Sequence, residues 1–365
     1  MSRTVVAEIN PAALQHNLNR VRELAPGCPV AAVIKADGYG HGLIRVAGAL
    51  SEADAFAVAC IEEALQLREA GFTLPVVLLE GFFDTAELEA IARYNLTAVI
   101  HHPWQLRALE QARLATPIRV WLKMDSGMHR LGFSPQEIPA ARQRLAACSS
   151  VARPVTEMTH LACADDRADQ TTTQQLARFD AVATGDCSIA SSAAILGWPQ
   201  ARRGWLRPGI MLYGASPFVT GGGESWQLQP VMTLRSTLIA VNRRQRGDPI
   251  GYGGSWRCPE EMPVGVVAIG YGDGYPRHAQ PGTPVLVNGK TVPLIGRVSM
   301  DMITVDLRSQ PQAGIGDAVV LWGEGLPVET VAEHAGTIAY ELLCGVTRKR
   351  VRYSETQERD NGKIL

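Results

Sequence analysis

Short apolar runs of strand length alternate with amphipathic stretches over the first ~215 residues, and this repetition constrains the fold more than any other feature. Eight such runs follow in order: VAAVIKA (30–36), AFAVAC (55–60), VVLLEG (76–81), TAVIH (97–101), IRVWLKM (118–124), EMTHLA (157–162), CSIAS (187–191) and GIMLYG (209–214). Between them lie helical patterns such as CIEEALQLREAG, in which Ile61, Ala64, Leu65 and Leu67 share a face before the closing Gly71. Eight strand–helix units predict an α/β fold, a closed (β/α)8 TIM barrel, with a doubly wound open sheet as the alternative. Asn10-Pro11 marks a helix start ahead of the first barrel strand, with Leu14, Leu18 and Val21 on one side.

The pattern changes at GGGESWQLQPVM, so a first domain over residues 1–229 is expected to pass into a second over 230–365. The second reads as predominantly β. VMTLRSTLIAV, VGVVAIGYG, PVLVNGKTVPLIG, MDMITVDL and AVVLWG alternate apolar and polar residues, Asn288-Gly289 is a two-residue hairpin turn, and one helix falls near PVETVAEHAG. Residues 4–9 read as a strand available to that second domain.

Composition narrows the partners. Lys+Arg 35 against Asp+Glu 36 leaves a net charge of -1, and no basic stretch is interleaved with aromatics, so a nucleic-acid partner is not expected and a small neutral or zwitterionic ligand is. The cysteines are odd in number at 7 and hold no Cys-x-x-Cys pair, which argues against a disulfide framework or a zinc site; no metal is expected. With neither a signal-peptide pattern nor an apolar run long enough to span a bilayer, a cytoplasmic location with no membrane contact is expected.

Lys35 closes the first barrel run and opens Asp-Gly-Tyr-Gly-His-Gly. The C-terminal ends of barrel strands are where such folds carry their chemistry. An amine in an apolar setting has a lowered pKa and suits Schiff-base chemistry, and Gly38, Gly40 and Gly42 let backbone approach a ligand. On these residues alone, a strand-end lysine reaching to solvent stays open as well.

VIKADGYGHG (33–42) resembles the lysine motif of alanine racemases, which bind pyridoxal 5′-phosphate (PLP). Further stretches resemble the same family in the same order: WLKMDSGMHRLGF (121–133), THLACAD (159–165), SIASSAAILGWP (188–199), WLRPGIMLYG (205–214), PIGYGGSW (249–256), GYGDGYPR (270–277) and GRVSMDM (296–302). The resemblance implies a PLP-bearing (β/α)8 barrel followed by a β-rich domain, in a homodimer whose active sites draw on both subunits. It implies interconversion of L- and D-alanine by two bases, Lys35 on one face of the substrate and Tyr252 of the partner subunit on the other. His160 is implied as the hydrogen-bond partner of that tyrosine, and Arg207 as the residue facing the PLP pyridine nitrogen. Arg130 is implied near the PLP phenolic oxygen and the substrate carboxylate, with Lys123 as a lysine that is carbamylated in some members. Tyr39, Ser192, Gly209 and Ile210 are implied around the phosphate; Met300, Asp301 and Tyr271 are implied at the substrate pocket and its entrance. Some relatives place a further phosphate-site tyrosine near the C terminus, where this chain has arginine or lysine in CGVTRKRVRY (344–353). D-alanine would serve peptidoglycan supply, or the enzyme alanine catabolism. Alternatives are a racemase of broader specificity, a PLP-binding homeostasis protein built on the barrel alone, and a related-barrel decarboxylase, which usually pairs the ring nitrogen with a carboxylate instead of an arginine.

Overall fold

The computed structural model describes residues 4–347 and 350–355. The described residues divide into two compact units, one of residues 15–212 with 216–221, the other of residues 4–14, 213–215, 222–347 and 350–355.

The first strand of the chain, β1 (Val6–Ile9), belongs to the second unit. The first unit holds a parallel sheet in chain order: β2 (Ala31–Val33), β3 (Ala55–Val58), β4 (Val76–Leu78), β5 (Leu96–Ile100), β6 (Arg119–Lys123), β7 (Thr156–Met158) and β8 (Cys187–Ser188). These strands are short and apolar because helices cover one side and the barrel interior the other. The helices carry matching stripes: Ile61, Ala64 and Leu67 are buried on Ile61–Glu69, and Ile138, Ala141 and Leu145 on Ile138–Ala147. Asn10 caps Pro11–Leu24 by accepting the Ala13 amide at 3.1 Å.

The eighth barrel position differs from the expected one. The run at 209–214 forms a 3-10 turn, Ile210–Tyr213, whose residues are apolar because they are buried. The gap is filled by the preceding segment, Trp205–Pro208. Ala31 and Val33 donate to the carbonyls of Leu206 and Pro208 at 2.8 and 2.9 Å, while Trp205 and Arg207 donate to Cys187 and Ala190, both at 2.8 Å. A buried arginine and a proline hide this segment from a hydrophobicity pattern, since neither reads as interior strand.

The second unit contains β9 (Met232–Arg244), β10 (Pro249–Ile250), β11 (Trp256–Arg257), β12 (Met262–Val267), β13 (Pro284–Val287), β14 (Lys290–Ile295), β15 (Ile303–Asp306), β16 (Ala318–Trp322) and β17 (Arg352–Glu355). Its main sheet runs β12-β15-β14-β13-β16-β9-β1-β17, with β12 also paired to β9, and β10-β11 form a separate ribbon. β1 lies antiparallel to β9 and parallel to β17. Asn288 (φ 50) and Gly289 (φ 75) turn β13 into β14 with both residues left-handed, as an Asn-Gly hairpin requires.

Candidate active site

Lys35 leaves the end of β2 half-buried, just past Ile34, whose amide bonds the Ala57 carbonyl at 2.9 Å. The chain then makes a left-handed turn: Ala36, Asp37, Gly38 and Tyr39 have φ of 53, 55, 62 and 51°. Such backbone costs energy at non-glycine residues and persists only when its surroundings impose it. Here the Asp37 carboxylate accepts the Leu43 amide at 2.9 Å and its carbonyl the Gly42 amide at 2.8 Å. A Cβ at Gly38 would meet Val46 at 2.8 Å. The turn fixes where Lys35 leaves the strand and buries Tyr39.

Tyr39 points toward the closing segment: a Cβ added to Gly209 would lie 2.6 Å from its hydroxyl oxygen. Ser192 Oγ accepts the amides of Gly209 at 2.8 Å and Met211 at 3.3 Å, which leaves its own O–H to donate. Tyr39, Ser192, Gly209 and Ile210 therefore form one cluster, and its hydroxyls and close backbone suit a phosphate ester.

Arg207 is 3% exposed. Its guanidinium donates to Ser188 Oγ at 2.5 Å and to the Thr159 and Ile189 carbonyls at 2.7 and 3.2 Å, and approaches His160 Nδ1 at 3.4 Å. Burial brings its pKa down to about 10, which still leaves it charged at neutral pH. His160 follows β7, where Gln175 donates to its carbonyl at 3.2 Å and accepts the Ala162 amide at 2.8 Å. Burial, then the charges of Arg207, Lys123, Arg130 and Lys35, lower the His160 pKa to about 3. The ring is neutral; with Nδ1 accepting from Arg207, Nε2 carries the hydrogen.

Lys123 ends β6, buried, with its pKa lowered to about 8 by desolvation and by Arg207, Arg130 and Lys35, against an opposing pull from Glu80. The next residues return to the strand: Phe133 donates to the Lys123 carbonyl at 2.9 Å and accepts the Asp125 amide at 2.8 Å. Asp125 Oδ1 accepts the amides of Gly127, Met128 and His129, each at 3.0 Å, and shapes the loop that carries Arg130.

The remaining candidates lie in the second unit. Tyr252 is 69% exposed on a turn between Gly251 (φ 70) and Gly253 (φ 74). Tyr271 and Met300 are exposed on adjoining loops, where Tyr271 and Gly272 donate to the Ser299 and Met300 carbonyls at 3.1 and 2.9 Å. Asp301 pairs with Arg350, which also reaches Asp273 at 3.4 Å. Arg350, Glu80, Ser188 and Gln175 are contributors that the motifs did not single out. Arg348 and Lys349, where the phosphate-site tyrosine of some relatives would fall, lie outside the described residues.

Fold and site together define a barrel enzyme whose amine sits at the C-terminal end of the first barrel strand, β2, with arginines and a pair of hydroxyl groups, Tyr39 and Ser192, in the same unit. Residues 9–217 match the alanine racemase N-terminal domain family, and residues 231–354 the alanine racemase C-terminal domain family. The alanine racemase of Nitrosococcus oceani is 56% identical over 351 residues, covering 96% of this chain and 99% of that protein. That of Coxiella burnetii is 52% identical over 360 residues, covering 96% and 99%. The biosynthetic alanine racemase of Pseudomonas aeruginosa has a similar structure, with a TM-score of 0.94 and 43% identity over 97% of this chain and 100% of that one. The chain belongs to the alanine racemase family.

Proposed function

We propose that this protein interconverts L- and D-alanine with PLP held by Lys35, in a homodimer whose two sites each take Tyr252 from the partner subunit. The observation that carries the reading is the convergence of Lys35, Lys123, Arg130, His160 and Arg207 around one barrel mouth, with Tyr39, Ser192, Gly209 and Ile210 beside them as a fitting phosphate cradle. The cradle depends on a missing Cβ at Gly209, where any side chain would press on the Tyr39 hydroxyl. When bound, PLP draws electrons from the substrate and acidifies its Cα–H.

The chain's own residues then divide the work. Lys35 takes or returns the Cα proton on one face, and Tyr252 of the partner subunit does so on the other. A phenol titrates near ~10 and needs a neighbour to act near neutrality; the Nε2–H of the neutral His160 is a donor suited to phenolate character there. Arg207, charged and anchored through its two Nη atoms on Ser188, Thr159 and Ile189, offers the ring nitrogen a hydrogen bond without surrendering a proton, which favours return of the proton to Cα over transamination. Transamination at a rate close to racemisation by the unmodified enzyme would contradict that role. Arg130 serves the substrate carboxylate as a guanidinium fork. Lys123, with its pKa near 8, keeps enough neutral amine to react with CO2, and the carbamate would pair with Arg130. Met300, Asp301 and Tyr271 of the partner subunit border the substrate. D-alanine supplied to peptidoglycan, or alanine catabolism, is the use this activity would serve, in the cytoplasm.

The test is proton exchange. Purified protein with PLP and L-alanine in D2O is expected to incorporate deuterium at Cα and form D-alanine. Exchange confined to larger amino acids would move the substrate assignment, and exchange on none would return Lys35 to a binding role.

A further inference from the structure

His101 stands outside every role assigned above. It directly follows β5, one step beyond the parallel pair Ile100–Leu122, which sets it beside Lys123 on β6. Neighbouring positions of a parallel pair lie about 5 Å apart and send their side chains to the same face. His101 is tied down at two points: its amide donates to Gln105 Oε1 at 3.0 Å, and its ring Nε2 lies 3.0 Å from the Glu80 carbonyl oxygen. A carbonyl only accepts, so Nε2 carries the hydrogen, and burial keeps the ring neutral by lowering its pKa. Nδ1 is then an acceptor, buried and without a donor among the described residues, the neighbouring Lys123 included. The lysine beside it has the opposite need. Lys123 is 7% exposed, and Arg207, Arg130 and Lys35 act against its charge while Glu80 supports it.

We propose that His101 is a positioning residue for Lys123: its unfilled Nδ1, one strand over, accepts Nζ–H when the lysine turns to it in the working enzyme, and so fixes the end of the lysine that acts with Arg130. The amine and its carbamate both keep an N–H at Nζ, so the bond serves either form. The kinetic consequence rests on the racemase reading above; the hydrogen bond does not. The charged and titratable groups around Lys123 are Glu80 after β4, His101 after β5, Arg130 after β6, His160 after β7, Arg207 in the closing segment and Lys35 after β2.

The experiment uses PLP-loaded enzyme in CO2-free buffer, with acetic anhydride labelling of Lys123 at graded pH read by mass spectrometry, alongside kcat and KM for alanine. His101→Phe keeps a flat ring without an acceptor, and His101→Asn restores an acceptor oxygen near the Nδ1 position. An acceptor favours the ammonium form, so its loss lowers the Lys123 labelling midpoint, by about one pH unit in His101→Phe. KM is expected to rise about tenfold with kcat changed less, and His101→Asn to recover both. A wild-type midpoint and KM in His101→Phe, equal damage in both variants, or a Lys123 that takes no label at any pH would overturn the proposal. If the unmodified protein does not turn over alanine, the racemase reading fails while the labelling midpoints still decide the hydrogen bond.

Discussion

The two ends of the barrel are built from the same strands and differ in almost everything else. At the C-terminal end the strands run into a left-handed turn after β2 and an aspartate-bound loop after β6, and basic groups gather closely enough that Arg207, Arg130 and Lys35 lower the pKa of both Lys123 and His160. At the N-terminal end Ala55, Thr97 and Thr156, small or polar, line a cavity of about 340 Å³ bordered by Val77, Trp121 and Trp205. Barrel interiors are usually filled by bulky branched side chains. Strain and charge repulsion are therefore concentrated where a ligand can use them, and loose packing is tolerated where none is needed.

Substitutions at the two ends should separate activity from stability. The largest effect belongs to Lys35→Ala, expected to cut kcat by at least about 10³-fold while leaving the melting temperature of the PLP-free protein near wild type. A variant that kept a tenth of its activity would erase the contrast. Next is acid sensitivity. Burial holds the folded-state pKa of His160 at about 3 and of His41, in the turn beyond Lys35, at about 4. In the unfolded chain both titrate near ~6.5, so the unfolded state binds more protons below that value. Their contribution is complete above pH ~6.5 and is lost as pH falls toward 4 and then 3, by up to about 1.4 kcal/mol per pH unit for each group. Urea unfolding of the PLP-free protein at pH 7, 6 and 5 should show this decline, and His160→Gln should flatten it; parallel curves would assign the acid loss elsewhere. The smallest effect lies at the other end. Ala55→Val combined with Thr97→Val adds apolar volume to the cavity and is expected to raise stability by roughly 0.5–1 kcal/mol with kcat unchanged. A change in kcat would show that the ends are coupled.

The sequence made the strand–helix period and the Lys35 motif legible because both depend on local signals, an apolar period and a cluster of glycines. The eighth barrel position was misplaced because burial of Ile210, Met211 and Leu212 imitates a strand, while Trp205–Pro208 does a strand's work with residues of the wrong type. The motifs located Arg207 and His160 but not what holds them, since Ser188, Thr159 and Gln175 reach them through contacts between distant segments. His101 is illegible in the sequence for the same reason: its meaning comes from the register that sets it beside Lys123, and no spacing within VIHHP shows that.

In the proposed dimer the barrel mouth is incomplete without Tyr252 of the partner subunit. Lys35→Ala and Tyr252→Phe proteins, each nearly inactive, can be dissociated, mixed and reassembled with PLP. In a mixed dimer one site carries both substitutions and the other carries neither. Random pairing then predicts recovery of about a quarter of wild-type activity. No recovery, with mixed dimers demonstrated by mass, would mean that Lys35 and Tyr252 act within one chain and would contradict the shared site.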